Sequence, residues 1–129
     1  MWLYDLTRRA WTPLTIEGAA VLPTWTRDGT RVAFSFVGPG GVRNLFWRPA
    51  DASGPPERLA ASPREQSPSS FSFDGRELLY VERDPVSQED IWVLSLDGSR
   101  QSRPLLNSRF REQHPELSPG WRLARICLG

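Results

Sequence analysis

The chain has 129 residues, enough for one domain with a buried core and too few to suggest two. Its 39% hydrophobic and 11% aromatic content argues against disorder, and no apolar run approaches the length that spans a bilayer. With 16 basic against 15 acidic residues the net charge is +1, which gives no field to steer nucleic acid or an anionic membrane, so neither is expected as a partner. All the basic residues are Arg, which reads as codon bias rather than a set of anion sites. A single cysteine, Cys127, excludes an intrachain disulfide and a cysteine metal cluster within one chain.

In chain order, "MWLYDL" and "WTPLT" read as two short strands. The opening lacks the basic and apolar regions of a signal peptide, so the compartment is unknown and cytoplasmic by default. After the loop "IEGAAV" comes "LPTWTRDGTRVAFSF", a strand, a turn at Asp28-Gly29 and a second strand; Gly supplies the positive φ that such a turn demands. The loop "VGPGGV" leads to a third strand, "NLFWR", and a fourth, "ERLAA". Past "SPREQSP" the series returns as "SSFSFDGRELLYVE", the charged, solvated loop "RDPVSQED", then the strands "DIWVLSL" and "RPLLN". Past "SRFREQHP" it begins a third time with "HPELS" and a damaged "WRLARI".

The recurrence has a period. Pro23, Ser69 and Pro115 stand 46 residues apart, Thr26, Ser72 and Ser118 follow in register, and Asp5, Asp51 and Asp97 fall on the same ladder. A repeat of about 40 to 50 residues marks propellers, solenoids or arrays, and a unit of four antiparallel strands, A to D, is a propeller blade. The fold class is therefore all-β.

"LPTWTRDGTRVAFSF", "SSFSFDGRELLYVE" and "HPELSPG" resemble the TolB-like PD40 (WD40-like) repeat, whose usual phrase is P-x-W-S-P-D-G, a basic residue and an apolar strand. "DIWVLSLDGSRQSRPLL" resembles strands C and D of that repeat, as found beside bacterial serine/threonine kinases and prolyl oligopeptidase-like enzymes. The resemblance covers nearly the whole chain. It implies a six-bladed propeller and a binding scaffold, since such propellers accompany many different activities.

On this reading the chain divides into a half-blade at 1–15, blades at 20–61 and 66–107, and a half-blade at 112–127, as a piece of a longer protein would. Three blades, one of them composite, are too few for a ring, because propellers typically hold about four to eight. The expectation is a homodimer of six blades, in which strands A and B from one C-terminus complete strands C and D from the other N-terminus. Trp2, Tyr4, Trp11, Leu117, Trp121 and Leu123 are the candidate interface residues, while Trp25, Trp47 and Trp92 are expected between blades.

The loops entering strand A gather at one mouth of the channel. They bring Glu17, then Arg64, Glu65 and Gln66, then Arg111, Glu112, Gln113 and His114, the triplet Arg-Glu-Gln occurring twice. Asp84, Glu89 and Asp90 from "RDPVSQED" are candidates for the same mouth. Two functions fit. The first is a non-catalytic module that binds a protein or small molecule over the channel, with no cofactor. The alternative is a metal-assisted hydrolase of an ester, lactone or phosphoester, with Glu65, Glu112 and His114 as candidate catalytic groups and Glu112 and His114 as ligands of Ca²⁺ or Zn²⁺. No G-x-S-x-G elbow, phosphate loop or Ser-His-Asp spacing is present.

Overall fold

The computed structural model describes residues 1–15, 18–86, 88–106, 112–118 and 122–128. Four antiparallel sheets follow one another along the chain. The first pairs β1 (Trp2–Asp5) with β2 (Ala10–Pro13). The second is a meander of β3 (Val21–Trp25), β4 (Arg31–Val37), β5 (Arg43–Pro49) and the short β6 (Glu57–Arg58). The third repeats that order in β7 (Gln66–Phe71), β8 (Glu77–Asp84), β9 (Gln88–Ser95) and β10 (Ser102–Leu106). The fourth pairs β11 (Glu112–Leu117) with β12 (Ala124–Leu128).

The middle strands β4, β5, β8 and β9 are apolar without alternation because the two four-stranded sheets are covered on both faces. Along β4, Val32 and Phe34 turn toward the first sheet, where they pack with Leu14, Phe46, Met1 and Leu3. Ala33 turns the other way, into a layer with Leu45, Leu59, Phe71, Leu78, Tyr80 and Leu94 that joins the two four-stranded sheets. In the same fashion Leu78 faces backward along the array while Leu79 faces forward, to Ile91, Val93, Leu117 and Ile126. The core is thus three apolar layers, one between each pair of consecutive sheets. Polar ties reinforce them: the buried Ser35 hydroxyl donates to the Gln66 carbonyl at 2.7 Å, and the Ser69 hydroxyl to the Pro115 carbonyl at 2.5 Å.

The Asp-Gly turn is built by more than its glycine. In the first copy Asp28 Oδ1 accepts from the Thr26 hydroxyl at 2.7 Å, the Thr30 amide at 3.0 Å and the Thr30 hydroxyl at 2.8 Å. The Arg31 amide donates to Thr26 Oγ1 at 3.0 Å, and Gly29 takes a φ of +70°. The second copy repeats this with Ser72, Asp74, Glu77 and Gly75. The third keeps the Ser118 part of the network, with the Leu123 amide donating to Ser118 Oγ at 3.3 Å. These donors hold Asp28 down to a pKa of about 2, the Thr30 amide contributing most, and lower Asp74 as well.

Three expectations need correction. "RDPVSQED" is mostly strand, since β8 runs to Asp84 and β9 begins at Gln88. Asp5 keeps the local bond of the 46-residue ladder but not its place in the strand. Asp51 and Asp97 accept from the amides of Ser53 and Ser99, two residues on. Asp5 likewise accepts from the amide of Thr7, two residues on, and from that of Arg8, but it is still within its strand, paired with Ala10 in a tighter hairpin. Trp25 does not lie between blades but is 51% exposed. Trp47 and Trp92 do pack against the central layer. The Trp47 ring lies between the guanidinium groups of Arg31 and Arg100, 4.5 and 5.0 Å from its centre, and its Nε1 donates to Glu57 at 2.8 Å.

Candidate functional site

The first strand of each unit borders a common groove. β3, β7 and β11 run side by side, and each slips register at one repeat position, between Val21 and Thr24, Pro68 and Ser70, and Gln113 and Glu116. Leu22 and His114, two periods apart, both have positive φ, of 57° and 50°. A bulge re-aims a side chain, and here Leu22 is 55% exposed and His114 is exposed. Pro23, Pro68 and Pro115 stand at these same bulges. Proline removes a backbone donor from an edge strand, so the inner edges resist the addition of a further strand and leave recognition to side chains.

The groove has a volume of about 610 Å³. Its wall mixes apolar surface from Leu22, Trp25 and the prolines with Ser69, His114 and the Glu116–Arg125 ion pair. Its floor is tied between sheets, because Arg27 Nε donates to the Phe71 carbonyl at 3.3 Å beside the Ser69 to Pro115 bond. A concave wall that combines apolar surface with convergent polar groups suits ligand binding.

The expected mouth residues divide between two environments. Arg64 pairs with Asp84 at 2.7 Å and lies 3.7 Å from Glu82; Glu65 pairs with Arg83 at 3.5 Å, and Arg83 lies 3.9 Å from Glu89. Arg64, Glu65, Arg83, Asp84 and Glu89 line a second hollow of about 520 Å³ with Pro63, Pro85 and Gln88. Their loop is fastened by Asn44, a buried residue that sequence reasoning passed over. Asn44 Nδ2 donates to the carbonyls of Ser62 and Arg64 at 3.0 and 3.1 Å, and Arg58 donates to its Oδ1. Gln66 turns inward, its Nε2 donating to Glu82 at 2.9 Å.

Glu112 holds the same repeat position as Gln66 and is fully buried, with neither carboxylate oxygen hydrogen-bonded among the described residues. His114 instead faces the groove, so the two candidate metal ligands point into different surroundings. Among the described residues no three His, Cys, Asp or Glu side chains gather as a metal-holding group. Glu17, Arg111 and Trp121 lie outside the described residues, as does the Gln113 side chain. Of the interface candidates, Trp2, Tyr4, Trp11 and Leu123 are exposed, whereas Leu117 turns into the layer with Leu79. The signal that sequence reading missed was the alignment of Leu22, Pro68 and His114, since a side chain turned by a bulge is invisible to a period-2 pattern.

Four-stranded meanders stacked face to face through apolar layers, with first strands bordering one groove, define an arc of a β-propeller. No protein-family model matches the chain, and no curated protein matches its sequence. Solved structures do match. The chain is similar to TolB from Acinetobacter baumannii, with a TM-score of 0.77 at 16% identity over 97% of this chain and 31% of that one. It is similar also to a TolB-type protein from Agrobacterium tumefaciens, with a TM-score of 0.69 at 22% identity over 84% of this chain and 39% of that one. The AtxE2 isopeptidase in its apo form gives a TM-score of 0.56 at 16% identity, over 74% and 18% of the two chains. The architecture is that of a TolB-like propeller segment spanning about a third of the TolB proteins it resembles.

Proposed function

We propose that the chain is a non-catalytic propeller binding module that takes a peptide or protein loop in the groove bordered by β3, β7 and β11. The observation that carries this reading is the shared bulge. It turns Leu22 and His114 out of their strands beside the exposed Trp25, while proline blocks pairing to the strand edges. Positive φ at non-glycine residues is unfavourable, and its persistence at the groove favours a role for the side chains it presents. A half-exposed indole beside leucine supplies a large apolar anchor, and Ser69, His114 and the Glu116–Arg125 pair supply polar partners at the rim.

The test is selection of a displayed random-peptide library on the immobilised chain. Recovered peptides should lose at least tenfold in affinity against Trp25→Ala and against Leu22→Ser. They should bind normally to Phe73→Ser, which removes an exposed aromatic outside the groove. Peptides that bind all three variants alike, or a library that yields none, would overturn the reading.

A further inference from the structure

The first and last sheets are complementary halves. β1 and β2 stand where β5 and β6, or β9 and β10, stand in a full blade, and β11 and β12 stand where β7 and β8 do. β12 keeps the repeat register: Glu112 opposite Leu128 copies Gln66 opposite Glu82, and Leu117 opposite Ala124 copies Phe71 opposite Leu78. Ala124 is therefore the counterpart of Leu78, and Ile126 that of Tyr80. β1 is placed by a backbone bond, since the Leu14 amide donates to the Met1 carbonyl at 2.9 Å as Leu59 does to Leu45 at 2.8 Å. That makes Trp2 the counterpart of Phe46 and Trp92, and Tyr4 that of Leu94.

In the full blade Tyr80 pairs with Trp92 and Leu78 with Leu94, with Leu94 fully buried between sheets. Trp2 and Tyr4, at the matching positions, are 61% and 44% exposed, with the Trp11 ring tilted against that of Tyr4 on the same face, their centres 4.8 Å apart. Beside β12, a hollow of about 180 Å³ opens on Leu79, Val93, Leu105 and Leu117, with Glu77, Arg103 and Arg122 also lining it. It lies on the side of β12 where a full blade carries its third and fourth strands. β1 and β12 each carry one unpaired strand edge, and none of their residues is proline.

We propose that two copies of this chain close one six-bladed ring, the β1 edge of each adding antiparallel to the β12 edge of the other. Ile126 then lies opposite Trp2, Arg125 opposite Leu3 and Ala124 opposite Tyr4. Trp2, Tyr4 and Trp11 cover the hollow over Leu79 and Val93 of the second copy. Two copies would supply six blades, within the about four to eight that rings typically hold. A two-fold exchange buries both edges at once and leaves no unpaired strand in the composite blades.

Light scattering coupled to gel filtration should return about twice the chain mass of 14.6 kDa, and Trp2→Ala should weaken the dimer at least tenfold. In a Cys127→Ser background, Tyr4→Cys combined with Ala124→Cys should oxidise to a covalent dimer. Directly opposed residues in an antiparallel pair lie within the Cα separation a disulfide accepts. If that pair fails to fold by circular dichroism, Asp5→Cys with Leu123→Cys tests the same register. A folded monomer at every concentration would overturn the proposal, and so would a dimer in which neither cysteine pair forms a bridge. Neither readout requires a groove ligand.

Discussion

Neighbouring leucines on β8 belong to different apolar layers, and truncating each in turn tests that architecture. Leu78 is fully buried between the two complete meanders, among Leu45, Leu59, Phe71, Tyr80 and Leu94. Both walls of that layer are four-stranded sheets, so little collapse can fill the space left by Leu78→Ala. The expected loss is about 3–4 kcal/mol, in the upper part of the range for buried leucine truncation. Leu79 is equally buried but faces Leu117 and Ile126 on a two-stranded sheet that has room to move inward, so Leu79→Ala should cost about 2 kcal/mol. Against a total stability of roughly 5–15 kcal/mol, the first loss corresponds to a melting shift on the order of 10 °C. Urea unfolding followed by circular dichroism measures both, with exposed Val86→Ala as the reference. A cost for Leu78→Ala below about 1 kcal/mol, or one smaller than that of Leu79→Ala, would refute the layered core.

The Asp-Gly turn predicts a specific acid limb. Asp28 is held at a pKa of about 2, below its ordinary 3.8, so its contribution is fully present above pH 4 and fades as pH falls toward 2. Asp28→Asn should flatten stability over that interval and leave the curve above pH 5 parallel to wild type; an unchanged acid limb would rule the network out. Ser35→Ala should cost about 1–2 kcal/mol, because it leaves the Gln66 carbonyl without its 2.7 Å donor inside the layer. A loss below a few tenths of a kcal/mol in urea melts would contradict that. Trp47→Leu removes two guanidinium contacts and the bond to Glu57, a loss of about 2 kcal/mol that should shrink in 1 M salt. Salt-independent destabilisation would show that packing alone is responsible.

Local signals in the sequence were sufficient for the unit. Asp28-Gly29 and Asp74-Gly75 mark turns through a positive φ, proline marks boundaries, and β-branched and aromatic runs mark strands that are covered on both faces. The 46-residue period then orders the strands, and β12 keeps that register despite the damaged phrase before it. At Asp5 the ladder keeps the bond to the amide two residues on, but the shorter first hairpin leaves the residue inside its strand rather than past the end.

The groove was less legible, for a physical reason. Residue spacing locates a side chain along its strand, but a bulge decides which way it points, and bulges depend on how the pair closes around an extra residue. Arg-Glu-Gln looked like one motif used twice. Tertiary packing gave its described members different roles, with Arg64 and Glu65 in ion pairs, Gln66 bonded inward and Glu112 buried. Trp25 looked like its counterparts in composition yet faces the groove, because the first strand of a blade has no further strand beyond it to cover an outward ring. Sequence by itself determined the repeat, the strands and their order, since each rests on short-range conformational preference. Only the tertiary structure decided which faces meet, because burial depends on the neighbouring sheet rather than on the residue.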